Sequence, residues 1–511
     1  MFQGNEKVMC QKRFHRVGYT GITAIAICFT LLFCNSSILI GSFGRDSSVF
    51  YTIGRGIAQG KAAYKDMFDH KGLYLYLLNA LGVLISDWHM LGLWLVETLF
   101  VLADCFLIFR IARKLGHSDR TALLTVLLTM AFAACYWEGG NLTETYGLLP
   151  ELISFSVILN VFQDDTERLF PAPRMFILGI CAGVALFLRA NMVMAWIPVA
   201  VIAIGLELRG RRFRNAWMIF MYGLLGVLTA SAIPVLYCLK HDCLAEMFFA
   251  SVLFNLRYLA NGPRGSAFLL YPINTCFFLV AFLLGTCSVI LGWRKWKSRI
   301  GWCMFAFSFL LAVVSVLLSG RLFVHYNLYL LPFVIPFLSW IAESLQRWLR
   351  LRWRLVLLAM IVTMTIGLNS SFARDAVKRI LHYSGTDYSS RELIVERIEK
   401  DYPDETNLLV ANGSAWYYAR LGLVPEEKFF YLPTVRYSVF PDAIDAQAEA
   451  VRDGRPDILI LEWLSREYQI AMPEGARNEE VLAGLAEHYE EVFSAADISL
   501  YRRNDSGLQA G

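Results

Sequence analysis

Residues 41–79 read GSFGRDSSVFYTIGRGIAQGKAAYKDMFDHKGLYLYLLN, and the way they are threaded decides the architecture of the chain. The stretch sets Asp46, Arg55, Lys65, Asp66, Asp69, His70 and Lys71 between apolar runs. It leads into LYLYLLNALGVLIS at 73–86, which at about 14 residues is short for a helix crossing a ~30 Å hydrocarbon core. If 73–86 crossed, Arg110–Arg120 and every later basic cluster would change sides, against the cytoplasmic preference of Lys and Arg. We therefore read it as a helix at the outer interface or re-entering, and residues 43–86 as the first outer loop.

The rest of the chain follows from that choice. The chain has 511 residues, of which 57% are hydrophobic and only 18% charged. A soluble domain averages nearer a quarter charged, and here the apolar residues come in runs long enough to cross a bilayer. Lys7, Lys12, Arg13 and Arg16 precede an apolar run from Gly18 to Ile40, read as an uncleaved first span with its basic flank inside. Further runs lie at roughly 88–110, 120–137, 147–163, 175–189, 191–207, 216–239, 268–292, 300–319, 326–346 and 355–371. The expected fold is a polytopic α-helical membrane protein of about eleven spans, N-terminus inside and C-terminus outside. Its transmembrane domain covers 1–371. The polar segments 43–72, 138–146 (EGGNLTETY), Arg189–Asn191, 240–266 and 320–326 then all face outward.

After residue 371 the composition becomes that of a soluble domain. Residues 389–401 read as an amphipathic helix capped by Ser389 or Ser390. Residues 407–411, 428–432 (KFFYL) and 457–461 read as buried strands, 442–454 as a helix and 490–503 as a hairpin. Together, 372–511 form a small extracytoplasmic α/β domain. The tail after Arg503 is read as frayed.

A net charge of +4 is no footprint for nucleic acid. The 11 cysteines are scattered through apolar segments and behave as small hydrophobes. Cys238 and Cys243 alone lie close enough together to raise the question of a disulfide. No Walker loop, dinucleotide fingerprint, HExxH or GxSxG stands in a usable context.

Val49, Phe50, Ile53 and Ile57 follow Asp46 at helical spacing, so Ser47–Gln59 is expected to lie as an amphipathic helix on the membrane surface. Asp46 either caps that helix or faces its positive end, or it is a carboxylate held to take a proton from an acceptor hydroxyl. An ordinary carboxylate is a weak base; the second role needs desolvation, or it reduces to orienting the nucleophile. Lys71 and His70 are suited to a phosphate, and Asp66 or Asp69 to sugar hydroxyls or a cation. No DxD motif is present, so the metal is left unknown: no cofactor is assigned, and a divalent ion remains compatible. Arg189, between two apolar runs, must reach the surface or an anion. Arg321, His325 and Tyr326 follow on the same expected face, where guanidinium forks match phosphate oxygens. Glu97 and Asp104 either join helices, the reading preferred here, or line the cavity, and the sequon at Asn141 is discounted in its tight loop.

The pattern Gly44-Arg45-Asp46-Ser47-Ser48-Val49-Phe50, then Gly54-Arg55-Gly56, Tyr64-Lys65-Asp66 and Phe68-Asp69-His70-Lys71-Gly72 resembles bacterial integral-membrane glycosyltransferases of the C-type fold. Within these it is most similar to the protein O-mannosyltransferase and aminoarabinose transferase group. Asn141-Leu142-Thr143-Glu144, Leu188-Arg189-Ala190-Asn191 and Gly320-Arg321 with His325-Tyr326 extend the resemblance. It implies an enzyme that takes a sugar from a polyprenyl-phosphate carrier and transfers it, with inversion, to a glycan, glycolipid, cell-wall polymer or protein hydroxyl outside the cytoplasm. In such enzymes an acid in the first outer loop acts as base or helps hold a metal, and Asp46 matches that catalytic position. Arg55, Asp66, Asp69, His70, Lys71, Glu144, Arg189, Asn191, Arg321, His325 and Tyr326 form the expected substrate-binding set, with membrane lipid around it. The alternative is a non-enzymatic flippase or polymer exporter, since intramembrane charges also serve transport. A scaffold whose tail binds partners leaves the charged first loop unexplained.

Overall fold

The computed structural model describes residues 19–163, 170–260, 272–318, 320–348, 388–433, 435–462 and 478–504. Among them six helices are long and apolar enough to cross a membrane: Trp88–Lys114, Ala190–Arg209, Phe213–His241, Pro272–Lys295, Arg299–Leu318 and Val324–Trp348. Helices at Asp119–Ala134, Thr143–Gln163 and Ala172–Leu186 occupy three further apolar runs. The chain is a multi-pass membrane protein. The run at 355–371 and the tail after Asn504 lie outside the described residues.

The chain divides into two compact units. One comprises Met1–Ile40, Trp94–Leu236 and Gly262–Arg374; the other comprises Gly41–Leu93, Tyr237–Asn261 and Asp375–Gly511.

The first unit is the helical one, with a core that includes Phe29, Trp137, Leu152, Met192, Phe305 and Leu330. Its first helix is shorter than the sequence suggests, running Tyr19–Phe33 instead of reaching Ile40. Polar residues turn the chain there: the Asn35 amide donates to the Gly139 carbonyl at 2.7 Å, and the Ser36 hydroxyl donates to Glu97 Oε2. Both bonds satisfy groups that would otherwise be buried without partners.

In the second unit, helices Arg45–Ala58 and Leu73–Ile85 pack face to face. At 13 residues and ~1.5 Å per residue, the latter is about 20 Å long, short of a membrane crossing. The expectation of a surface-lying amphipathic helix at 47–59 is corrected. Every residue from Ser47 to Gly56 is buried, so its apolar side chains are covered by protein instead of lipid. Two glycines permit this. A Cβ on Gly54 would lie 2.6 Å from Asn79 Cβ and 2.7 Å from the Ala80 amide nitrogen, and one on Gly56 would lie 2.4 Å from Met67 Cε.

The same unit holds a four-stranded sheet of β1 (Leu408–Ala411), β2 (Ile458–Glu462), β3 (Tyr489–Ala495) and β4 (Ile498–Arg503), in the order β1-β2-β4-β3. β1 and β2 pair in parallel; β4 runs antiparallel to both β2 and β3. Leu409, Ala411, Leu459 and Leu461 pack with Ala448, Val451 and Leu485 of helices Asp442–Arg452 and Asn478–His488. Strands and helices pack on one another here. Two details differ from the sequence reading. The helix at Tyr388–Asp401 begins before both serines read as its cap. Residues 428–432 form no strand: their aromatic side chains serve as docking groups, and the Lys428 carbonyl accepts from the Phe68 amide at 2.9 Å. Cys238 and Cys243 are free thiols.

Because the obstruction at Gly54 is backbone, Gly54→Ala should destabilise the second unit by about 1–3 kcal/mol through overpacking. Gly205→Ala, with nothing within 4 Å of the new methyl, serves as the neutral comparison. Thermal unfolding in detergent checks the pair; equal midpoints would contradict the packing described.

Candidate functional site

The second unit positions its polar groups through the turn between its two first helices. Tyr64 takes a positive φ of 68°, and its amide donates to the Met67 carbonyl at 2.9 Å. Asp66 Oδ2 accepts from the Ala62 amide at 2.7 Å, so this acid closes the turn at an exposed position. Tyr64 Oη donates to the Lys71 carbonyl at 2.8 Å, and the Lys71 amide donates to Tyr76 Oη at 3.0 Å. Asn255 Nδ2 donates to the His70 carbonyl at 2.9 Å. The segment carrying Asp69, His70 and Lys71 is therefore fixed along its backbone.

Their side chains form a chain of contacts. Asp69, only 2% exposed, accepts from Tyr76 Oη on Oδ2 and from Tyr431 Oη on Oδ1, each at 2.6 Å. His70 Nδ1 lies 3.1 Å from Oδ1, an ion-pair distance without the alignment of a straight hydrogen bond. His70 Nε2 and Lys71 Nζ are 2.7 Å apart. Burial, then the Lys71 charge, hold the imidazole below its ordinary pKa against the pull of Asp69. A neutral ring with its proton on Nδ1, toward Asp69, leaves Nε2 to accept from the ammonium. Burial pushes the Asp69 carboxyl up, but His70, Lys71 and the Tyr431 hydroxyl outweigh it and hold the group well below the usual carboxylate range. Both oxygens of Asp69, read from the sequence as a ligand for sugar hydroxyls or a cation, are engaged by protein groups.

Asp46 sits exposed in the first turn of helix Arg45–Ala58, with Gly44 as the cap residue. It faces the positive helix end and lies near enough to act electrostatically on His70. Arg55, 4% exposed, forks onto Asp87 with two contacts of 2.9 Å. Its remaining arm reaches the Tyr418 and Ala419 carbonyls at 3.3 and 3.4 Å. The geometry gives Arg55 a structural commitment where the sequence suggested substrate.

The first unit carries polar groups of its own. The turn before helix Thr143–Gln163 needs glycine at 139 and 140, where φ is 88° and 77°; a Cβ on Gly140 would meet Glu97 Oε1 at 2.3 Å. Glu97 Oε1 accepts from the Asn141 amide at 2.6 Å. Glu144, 3% exposed, pairs with Arg189 and accepts from Thr143 Oγ1 at 2.7 Å. The Arg189 guanidinium stacks 3.8 Å from the Tyr326 ring centroid. His325 Nδ1 lies 2.5 Å from Glu138 Oε2. Asn191 Nδ2 donates to the Ser315 carbonyl and hydroxyl at 3.1 and 3.0 Å. Arg321 is half-buried just before the turn Val324–Leu330. Asn141, 2% exposed, is no surface sequon. Asp104 has neither oxygen bonded among the described residues, whereas Glu97 joins its helix to turn residues, Ser36 and Asn141.

Sequence reasoning missed Tyr76, Tyr431, Asp87 and Glu138. Tyr431 hid inside an aromatic run that looked like a strand, and Glu138 stood in a segment noted only for its polarity. Among the described residues no group of three or more His, Cys, Asp or Glu is arranged to hold a metal ion.

This arrangement of helices is shared with solved structures. ArnT from Cupriavidus metallidurans bound to undecaprenyl phosphate superposes with a TM-score of 0.60 at 15% identity, over 95% of this chain and 98% of that one. Its apo form gives 0.56 at 14%, over 98% and 99%. The oligosaccharyltransferase AglB from Archaeoglobus fulgidus gives 0.49 at 12%, over 98% and 75%. The fold is that of the C-type integral-membrane glycosyltransferases. Residues 6–352 match the competence-induced protein Ccs4 N-terminal domain, and the chain belongs to that family. No curated protein sequence matches it.

An unfolded histidine takes up a proton near pH ~6.5, whereas His70 resists. The unfolded state then binds more protons, and stability falls as pH drops below about 6.5. Asp69, still ionised where an unfolded carboxyl protonates near ~3.9, adds a further loss below about pH 4. Unfolding midpoints measured from pH 8 downward should show both limbs, with His70→Gln flattening the upper one. A wild-type midpoint constant from pH 8 to 5 would refute the burial of a neutral His70.

Proposed function

We propose that the protein transfers a sugar from a polyprenyl-phosphate-linked donor to an acceptor hydroxyl on the outer side of the membrane, with inversion. The acceptor is a glycan, glycolipid, cell-wall polymer or protein, and residues 372–511 stand with the site outside the cytoplasm. The observation that carries the reading is the Lys71 ammonium, held by His70 Nε2 in a fold whose solved neighbour ArnT holds undecaprenyl phosphate. An ammonium has three N–H donors, and the His70 contact uses one.

The chemistry asks for few groups. The acceptor oxygen attacks the anomeric carbon, its proton passes to Asp46, and the bond from that carbon to the phosphate oxygen breaks. The donor phosphodiester carries one negative charge and the departing phosphate approaches two. A cation beside it gains in value as the bond breaks, which is how electrostatic catalysis lowers a barrier. Lys71, with His70 beside it, takes that part; Asp66, exposed on the same turn, is suited to sugar hydroxyls. In the first unit Glu144, Arg189, Asn191, Arg321, His325 and Tyr326 are further polar groups suited to substrate oxygens.

In membranes supplied with labelled polyprenyl-phosphate sugars, Asp46→Asn should lower transfer by about 10²–10⁴-fold, the usual contribution of a general base. Lys71→Ala should weaken use of the donor while sparing the acceptor KM. Full transfer by a normally inserted Asp46→Asn protein would remove Asp46 from the reaction.

One observation favours the export reading. Asp104 and Glu151 are buried with both oxygens of each unbonded among the described residues, and intramembrane acids mark transport paths. Lipid-linked sugar translocation in proteoliposomes, compared with an Asp104→Asn, Glu151→Gln protein, separates the two: transfer that survives the double change belongs to an enzyme.

A further inference from the structure

We propose that Tyr431, far along the chain in the C-terminal region, is a positioning residue for Lys71. Its hydroxyl and that of Tyr76 fix the Asp69 carboxylate, Asp69 Oδ1 attracts the Nδ1 edge of the His70 ring across 3.1 Å, and His70 Nε2 holds the Lys71 ammonium. The inference deepens the reading of Lys71 as the partner of a lipid phosphate and rests on it for the identity of the ligand alone.

The geometry separates what the Tyr431 hydroxyl does from what its neighbours do. The run 428–431 is held by other contacts: the Lys428 carbonyl accepts from the Phe68 amide at 2.9 Å, and the Phe429 ring lies 5.2 Å from that of Phe68. Phe440 stacks on Phe68 from 5.1 Å, and Phe430 meets Tyr418 edge-on at 5.6 Å. Packing alone would be served by phenylalanine at 431. The added oxygen lies 2.6 Å from Asp69 Oδ1, the same oxygen that faces His70 Nδ1 at 3.1 Å. Tyr76 takes Oδ2 at 2.6 Å. With both oxygens held, the carboxylate cannot rotate away from the imidazole.

The ring is steadied on its other sides as well. It lies against Phe254 at 5.1 Å and Tyr258 at 5.8 Å, and the His70 carbonyl is bound by Asn255. A rigid acceptor 2.7 Å from Lys71 Nζ restricts a side chain that otherwise carries large rotamer entropy. A preorganised cation is worth more to a ligand than a mobile one, because its ordering cost is met before binding.

Tyr431→Phe should leave the aromatic packing in place and release Asp69 Oδ1. His70 then loses its orientation and Lys71 its acceptor. Two readouts follow. The first needs no ligand: acetylation of Lys71 by acetic anhydride at fixed pH, read by mass spectrometry against Lys65 of the same loop, should speed up in the variant. The second uses undecaprenyl phosphate as a competitor of transfer. Its inhibition constant should rise about tenfold, the scale of one hydrogen bond to a charged group, while the acceptor KM stays unchanged. Combined with Lys71→Ala, Tyr431→Phe should add nothing further, because both act through one ammonium.

Unchanged Lys71 acetylation in Tyr431→Phe overturns the proposal, as does additivity in the double variant. Faster acetylation in a protein whose wild type binds no undecaprenyl phosphate supports the positioning role and rejects the lipid-phosphate reading instead. If Tyr431→Phe fails to fold, Tyr76→Phe removes the other donor to the same carboxylate and is read in the same way: faster Lys71 acetylation supports the linkage and an unchanged rate rejects it.

Discussion

A carboxylate taken out of water is costly unless charge and hydrogen bonds replace its solvation. Asp69 is such a group, and the groups that replace its water come from three separate stretches of chain: His70 beside it, Tyr76 on the following helix, and Tyr431 more than three hundred residues later. Meeting this requirement constrains the second unit as a whole. The turn must hold Tyr64 at positive φ so that its hydroxyl reaches the Lys71 carbonyl. The helix at Leu73–Ile85 must start where Tyr76 can bridge Asp69 and the Lys71 amide. The run at 428–431 must stay out of the sheet, because its carbonyl and its last side chain are both needed by the loop.

Much of the helical architecture was legible because apolar length alone requires it: runs such as 216–239 and 300–319 have no other use than to cross a bilayer. The run at 73–86 forms a helix of 13 residues, Leu73–Ile85. The break at Asn35 was not legible, since it depends on the Gly139 carbonyl and Glu97, which sequence distance hides. Amphipathic spacing in 47–59 correctly indicated a helix and wrongly indicated lipid, because periodicity shows which residues are buried and not what buries them. The loop acids and bases stood out as charges in a greasy chain. Their division of labour did not: Asp69 and Arg55 looked as available as Lys71, and only burial and partner geometry separate them. Tyr431 was beyond reach, as one aromatic among several in a segment patterned like a core strand.

In the first unit, polar residues are mostly matched in pairs beside turns. Glu97 serves Ser36 and the Asn141 amide, Glu144 serves Arg189, Glu138 faces His325, and Asn191 serves Ser315. A charge at mid-membrane costs about 2.5–3.5 kcal/mol even on permissive scales, so pairing is the expected outcome wherever two such groups can meet. The glycines at 139 and 140 make one of these meetings sterically feasible.

The two cationic clusters differ in a way that bears on phosphate chemistry. Arg189 is joined directly to the carboxylate of Glu144 and covered by the Tyr326 ring. Its charge is largely cancelled, and an arriving phosphate would compete with an ion pair already made. Lys71 is held in another manner. Between it and the Asp69 carboxylate stands an imidazole whose burial keeps it neutral. A neutral acceptor fixes the ammonium in place without cancelling its charge, while the fixed carboxylate behind it supplies the orientation. Coulomb attraction falls with distance, so the inserted ring weakens the pull of Asp69 on Lys71. A directly paired lysine would be equally rigid but less attractive to an anion, and an unpaired one equally charged but mobile. Interposing His70 satisfies both requirements, and it does so only while the tyrosine hydroxyls keep Asp69 turned toward the ring.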